Sequence, residues 1–466
     1  MAGPRPRVAI VGAGPAGAFA ASALRRCAGD VEIDLLERLP TPWGLLRGGV
    51  APDHQDIKRL QDTFDRQTLR HGCRFLGNVE VGVDISHAEL MRHYAAVIYA
   101  TGAQTDKSLG IAGEDLPGSW AATEFVAWYN GHPDYRDLQF DLSAKRVVVI
   151  GNGNVAADVI RMLTLSPRAL ERTDIADHAL EALRASAVEE VVVLGRRGPA
   201  QAAFTSAELR ELGHLEGVDL RVRAEELELD PVSQDWLADH GTFTARTNVE
   251  LLREFAARAP REGAARRIEL RFLRSPVQIR GSGRVEAVDI RRNEIVRADD
   301  GALRARAVDE PVEPIACGLV LRSVGYRAVP LPDVPFDERS FVLPNERGRV
   351  LTPDGAPLPG VYAVGWIKRG PTGILGTNKR DAEETVACLA DDLATAALTP
   401  PASPDRAQID ALLAERVPDV VTVEGWRAID GLERERGRDG QRPRVKLASR
   451  GELLSAAAAT ASSAAS

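Results

Sequence analysis

Short apolar runs recur along this chain, and most are closed by a glycine or a charged residue. Residues 8–11 (Val, Ala, Ile, Val) run into Gly12, and residues 147–150 (Val, Val, Val, Ile) run into Gly151. Residues 31–36 end in Glu37, and residues 191–194 end in Gly195, Arg196 and Arg197. Residues 95–100 run into Thr101 and Gly102, and residues 319–324 into Gly325. Apolar runs of this length predict strands covered on both faces, as in a parallel sheet. After Gly12 and Gly151 the apolar spacing becomes helical. Residues 7–37 and 146–194 therefore each read as strand, turn, helix, strand, the second with a long helical excursion at 158–184. Alternation near 268–272 and 285–290 predicts antiparallel strands. A further strand at 360–364 precedes a glycine-rich segment and a helix over about 381–397.

The predicted fold class is α/β, with two Rossmann-like dinucleotide-binding domains. Strand-then-glycine returns at 101–102 and 324–325 flank the second unit, which predicts its insertion into the first. The expected boundaries are 1–105 for the first part of one dinucleotide-binding domain and 106–325 for the inserted second one. Residues 326–455 complete the first domain and carry a polar helical extension from 405. The segment 399–404, with three prolines, reads as a linker. Residues 456–466 contain only Ala, Ser and Thr and are expected to be disordered.

Composition narrows the classes. The chain has 466 residues, too many for one core at roughly 150 residues per domain. Its apolar fraction of 44% and charged fraction of 27% fit a globular protein. No apolar stretch reaches the roughly 18 to 20 residues of a membrane span, and the N-terminus runs into a strand without a signal-like apolar segment. The expectation is a cytoplasmic monomer with no membrane insertion. A net charge of −8 argues against nucleic-acid binding. Cys27, Cys73, Cys317 and Cys388 form no C-x-x-C pair, and none has histidine at metal-ligand spacing. An internal redox disulfide, a metal site and an iron–sulfur centre held by this chain are all unsupported. Electrons leaving a flavin here would pass to a group outside the chain.

The two glycine turns carry the chemistry. Gly12 permits a tight turn, Gly14 lets backbone approach a pyrophosphate, and Gly17 lets the next helix pack on the strand. The pyrophosphate rests on the helix N-terminus, where free N–H groups and the dipole favour anions. Glu37, ending the following strand, accepts hydrogen bonds from ribose hydroxyls and marks an FAD-like site. The second turn is Gly151, Asn152, Gly153, Asn154, Val155, Ala156, and its following strand ends in Arg196 and Arg197. Bases at that position suit a 2′-phosphate. Each charge-assisted bond to phosphate is worth roughly 1.5–3 kcal/mol, so two favour NADPH over NADH by about a hundred- to ten-thousandfold. A chain that seats a flavin and a nicotinamide dinucleotide is expected to pass a hydride between them.

With these residues in place, the chain resembles the adrenodoxin-reductase type of ferredoxin–NADP reductase over about residues 7–450. The resemblance lies in residues 11–15, 40–45, 47–54, 149–156, 195–199 and 365–379, the last reading GWIKRGPTGILGTNK. It implies FAD, NADP(H) and delivery of electrons to a small acidic iron–sulfur protein such as ferredoxin; reduction of flavodoxin instead is a nearby alternative that the sequence leaves open. It also implies FAD contacts at Ala13, Glu37, Leu45, Val81, Trp366, Gly373, Ile374 and Leu375. The implied NADP contacts are Asn152, Gly153, Asn154, Val155, Arg196, Arg197, Glu208 and Gly373. Lys107 stands where relatives can carry arginine; it keeps the charge but lacks the bidentate fork.

His54 and Glu211 are the expected catalytic polar groups beside the flavin–nicotinamide contact. Docking bases for an acidic partner come from Arg47, Lys58, Arg59, Arg66, Arg70, Lys368, Arg369, Lys379 and Arg380. Two other classes use the same cradles: a flavoenzyme acting on a small organic substrate, and a non-catalytic nucleotide-binding subunit. NADPH-driven turnover without ferredoxin would mark the first, and absence of diaphorase activity the second.

Overall fold

The computed structural model describes residues 5–373 and 375–463. They form two compact units. The first comprises residues up to 105, residues 130–136 and residues from 326 onward; the second comprises 106–129 and 137–325.

The first unit is built on a seven-stranded sheet in the order Asn345–Glu346, Arg349–Leu351, Pro357–Ala363, Ala96–Tyr99, Arg7–Val11, Glu32–Glu37, Arg74–Gly77. The last five strands of that order are parallel. Val8 lies opposite Ile33 on one side and Ala96 on the other. Arg7–Val11 is buried along its whole length, so its sequence carries no polar alternation. The chain leaves this strand toward one edge and returns on its other side. The C-terminal end of Arg7–Val11 is thus the switch point, where α/β sheets open a ligand crevice. Helix Pro15–Cys27 starts there with Pro15 in its first turn, where the missing N–H has no intrahelical acceptor to lose. The helix packs along Leu375–Ala394.

The second unit repeats the plan. Its six-stranded sheet runs Ser119–Ala121, Leu319–Arg322, Arg146–Ile150, Glu190–Leu194, Arg266–Arg271, Val218–Val222, all parallel. Helix Asn154–Thr164 leaves the switch point at the end of Arg146–Ile150. A smaller antiparallel sheet joins Arg274–Arg280, Ala287–Arg297, Leu303–Ala307 and Glu313–Ala316.

Four expectations need correction. The strand near 268–272 is parallel, not antiparallel: Ile268 pairs with Val191 and with Leu220. Its alternation reflects polar cover on one face, where Glu269 accepts from Arg223 at 2.8 Å, rather than pairing direction. The excursion at 158–184 breaks after Thr164. Pro167 opens a new turn, and Ser166 caps it by accepting from the Ala169 N–H at 3.2 Å. Residues 130–136, expected in the inserted domain, belong to the first unit. Asn130 accepts there from Lys58 at 3.0 Å and from Lys446 at 2.9 Å.

The fourth correction is the tail, which is helical over Arg450–Ser463 instead of disordered from 456. Leu453 and Ala456 are buried, and a Cβ on Gly425 would lie 3.1 Å from the Ala457 Cβ. Alanine is a strong helix former and small enough for this close approach to helix Val423–Asp439. Residues 464–466 of the expected tail lie outside the described residues.

Candidate functional site

In the first unit, Gly12 has φ +104°, and a Cβ there would sit 2.6 Å from the Ala100 carbonyl oxygen. A Cβ on Gly17 would sit 2.1 Å from the Gly12 oxygen, so the helix meets the turn as backbone against backbone. Gly14 is the N-cap, extended at φ −75°, with no side chain capping the helix. The first-turn N–H groups therefore have no side-chain acceptor, as an anion site requires. Glu37 is half-buried and accepts from Ala13 N at 3.0 Å and Leu39 N at 3.1 Å. Burial pushes its carboxyl above the ordinary range, against the pull of those N–H groups. Each carboxylate oxygen retains a lone pair for a ribose hydroxyl.

Two further segments converge on the first turn of this helix. Trp43, buried with φ +82°, donates its N–H to Ala13 O at 2.8 Å. Gly44, at φ +47°, comes so close that a Cβ on it would lie 3.0 Å from Gly14 Cα. From the other end of the chain, a Cβ on Gly365 would lie 2.5 Å from the Ala16 Cβ. Gly365 N donates to the Asp381 carboxylate at 2.5 Å, which fixes the turn carrying Trp366. Trp43, Gly44, Gly365 and Asp381 were absent from the sequence-derived site. The Pro-Trp-Gly step and an aspartate one helical turn beyond the glycine-rich segment were the available signals.

The other expected FAD residues are all in this unit. Leu45 opens the short helix Leu45–Gly48 and is 37% exposed. Val81 is half-buried and bridged to Ile85. Trp366 is half-buried, its ring tilted on Tyr326 with centroids 5.2 Å apart. Gly373 has φ +80°, Leu375 opens helix Leu375–Ala394, and Ile374 lies outside the described residues. His54 is half-buried at the N-cap of helix Gln55–Lys58.

The second unit holds the matching turn. A Cβ on Gly151, at φ +119°, would sit 2.1 Å from Ser323 O. Gly153 is the extended N-cap of Asn154–Thr164, again without a side-chain cap. Val155 follows in its first turn, and Asn154 accepts from Thr205 N at 2.8 Å. Asn152 Nδ2 is buried without a hydrogen-bond partner beside Gly195, an unmet donor that suits a bound polar ligand. Arg196 is exposed and Arg197 half-buried. Among the described residues neither reaches a carboxylate, although most arginines here do. Burial, then the neighbouring Arg196, lowers the Arg197 pKa. An unneutralised cation pair at the end of the second strand fits a 2′-phosphate.

Glu208 is occupied differently. Its carboxylate accepts from Arg161 at 2.5 Å, and Arg161, fully buried, also binds Asp158 at 2.5 Å. Glu211 is 42% exposed and stands 3.7 Å from the same guanidinium. Arg161 thus gathers three acids on two helices, a role that helix periodicity alone did not reveal. Lys107 is exposed, and its backbone N–H donates to Gly325 O at 2.9 Å.

Several docking bases are corrected. Arg47 is tied to buried Glu433 at 2.8 and 2.5 Å. Lys58 is buried on Asn130, and Lys368 is buried between Asp381 and Glu384. Arg59, Arg66, Lys379 and Arg380 remain exposed. Cys27 is exposed, the other cysteines are buried, and all four are free.

Two largely parallel sheets, each with a glycine turn at its switch point, are the architecture of a protein that binds two dinucleotides. The Pyridine nucleotide-disulphide oxidoreductase model matches residues 6–374. The NADPH-ferredoxin reductase FprA of Mycobacterium leprae (strain TN) is 50% identical, over 96% of this chain and 97% of its own. The mitochondrial NADPH:adrenodoxin oxidoreductase of Arabidopsis thaliana is 39% identical, over 97% and 95%. The structure of Mycobacterium tuberculosis FprA in complex with NADPH superposes with a TM-score of 0.90 at 48% identity, covering 97% of this chain and 99% of that one. The chain belongs to the pyridine nucleotide-disulphide oxidoreductase family, in its branch of ferredoxin and adrenodoxin reductases. No helix among the described residues is long and apolar enough to cross a membrane.

Proposed function

We propose that this chain takes electrons from NADPH, carries them through FAD and delivers them to a small iron–sulfur protein of the ferredoxin or adrenodoxin type. The observation that carries the reading is the contrast between two like turns. One is answered by an acid, Glu37, and the other by two cations without a carboxylate, Arg196 and Arg197.

A nicotinamide dinucleotide and FAD held at these two turns would supply hydride-transfer and single-electron chemistry, and the chain's own residues would hold and orient them. The N–H groups at the start of Pro15–Cys27 and Asn154–Thr164 hold the two diphosphates. Glu37 accepts from the ribose of FAD, and Arg196 and Arg197 grip the 2′-phosphate of NADPH. Leu45, Val81, Trp366 and Gly373 contact FAD. Asn152 through Val155, Lys107 and Glu208 attend the nicotinamide nucleotide. His54 and Glu211 are the polar groups at the reacting end, and Arg161 orients Glu211 through its guanidinium. The protein works as a cytoplasmic monomer, and a flavodoxin can take the place of ferredoxin.

The test is anaerobic. The yellow protein is reduced with NADPH or NADH, a panel of ferredoxins is added, and cytochrome c reduction is followed. Rapid reduction by NADPH with ferredoxin-dependent cytochrome reduction is expected. A colourless protein after reconstitution with FAD, or turnover indifferent to ferredoxin, defeats the reading.

A further inference from the structure

Asn293 lies in strand Ala287–Arg297 and is 3% exposed. Its Nδ2 donates to the Arg196 carbonyl at 2.8 Å and to the Ser275 hydroxyl at 2.6 Å. Its backbone N–H donates to Leu273 O at 2.8 Å. Residues 271–274 stitch down the rest of the arginine turn. Leu273 N reaches Arg197 O at 3.1 Å, Gly195 N reaches Arg271 O at 2.8 Å, and Arg274 N reaches Gly195 O at 2.9 Å.

The orientation of this amide is fixed by chemistry. A carbonyl oxygen only accepts, so the nitrogen of Asn293, not its oxygen, must face Arg196. Ser275 takes the second proton, and the buried NH₂ group is fully used. Its main consequence lies at the other end of the bond. Arg196 and Arg197 are adjacent like charges without a neutralising acid, so they tend to spread unless the backbone beneath them is held. A loop that grips a phosphate with two side chains needs that backbone fixed before the ligand arrives.

We propose that Asn293 is a positioning residue for nucleotide selectivity: through the Arg196 carbonyl it holds the two arginines in the arrangement that recognises a 2′-phosphate. This rests on the reading of Arg196 and Arg197 as the NADP clamp.

The holoenzyme carrying Asn293→Ala or Asn293→Asp is compared with wild type and with Arg197→Ala. Ferricyanide reduction is driven by NADPH and, separately, by NADH, and adenosine 2′,5′-bisphosphate is titrated against 5′-AMP. In Asn293→Ala, loss of one hydrogen bond should raise the KM for NADPH and weaken the bisphosphate by about three- to tenfold. The kcat with NADPH and both parameters with NADH should move less than about twofold. Asn293→Asp should be worse, because a carboxylate oxygen then faces the carbonyl. If Asp is not tolerated by the fold, Asn293→Ser gives the same readout with a smaller polar side chain.

Equal losses with both nucleotides, leaving their ratio unchanged, would show a merely structural role and overturn the inference. If Arg197→Ala collapses the NADPH preference while the Asn293 variants keep it, the inference alone falls. If wild type and Arg197→Ala prefer NADPH equally, or not at all, the clamp reading falls and takes this inference with it.

Discussion

Glu37 Oε2 accepts the backbone N–H of Ala13 at 3.0 Å, so the residue that ends the second strand also braces the turn after the first. The same carboxylate holds Leu39 N at 3.1 Å. One side chain therefore shapes the glycine turn and, in the proposed function, also receives the ribose of FAD. Glu37→Ala removes both functions. Losing hydrogen bonds to a charged acceptor, at about 1.5–3 kcal/mol each, should weaken FAD by about ten- to hundredfold or more. Fluorescence titration of the apoprotein with FAD measures this; unchanged affinity would remove Glu37 from the site.

Arg197→Ala should lower the NADPH-to-NADH ratio of kcat/KM by about ten- to hundredfold, since one charge-assisted phosphate contact is lost. Because Arg197 has no carboxylate partner, the variant should melt within about a degree of wild type. Steady-state kinetics with both nucleotides and a thermal melt check the two halves. A ratio that does not move assigns the selectivity elsewhere.

Glu433 is fully buried, bound by Arg47 and by Arg444 at 3.0 Å, with Leu447 N at 2.9 Å. Burial alone would raise its carboxyl, but Arg47, Arg444 and the Leu447 N–H outweigh burial and hold it below the usual range. A lowered folded-state pKa gives stability that is present above the unfolded value, near 4.3. It is lost as pH falls through the lower folded value. Glu433→Ala strips the largely buried Arg47 of its carboxylate and leaves Arg444 with Asp430, and should cost about 3–5 kcal/mol. Urea unfolding near neutral pH should show that loss, and the difference from wild type should shrink with acid.

The exposed bases Lys379 and Arg380 give the docking surface a direct test. Replacing both with glutamine should slow ferredoxin reduction by about three- to tenfold at low ionic strength. The difference should fade once the Debye length shrinks to about 3 Å near 1 M salt. Ferricyanide reduction by NADPH should not change. A difference independent of salt would exclude steering by these charges.

Both cradles were legible in sequence for a local reason. A strand buried on both faces leaves an apolar run, and the turn after it needs glycine where φ is +104° or +119° and no Cβ fits. What was hidden depends on partners far along the chain. Arg47 looked like a docking base because Glu433, its partner, is 386 residues away. Nothing adjacent in sequence marks the role of Arg161, because two of its acids, Glu208 and Glu211, sit on another helix. The tail looked structureless because its composition lacks bulk, while Gly425 opposite Ala457 makes small side chains sufficient for packing.

The parallel pairing of Val97 with Val361, and the antiparallel bridge of Gly77 to Val421, bear on how a ribosome makes this protein. The early strands emerge long before their neighbours, whereas the strands of the nicotinamide unit all leave the exit tunnel between residues 119 and 322. That middle unit can mature while the amino-terminal strands still wait with an open edge. Until residues 357–363 are made, Ala96–Tyr99 keeps one edge unpaired, and a chain truncated before residue 357 has no strand to cover it.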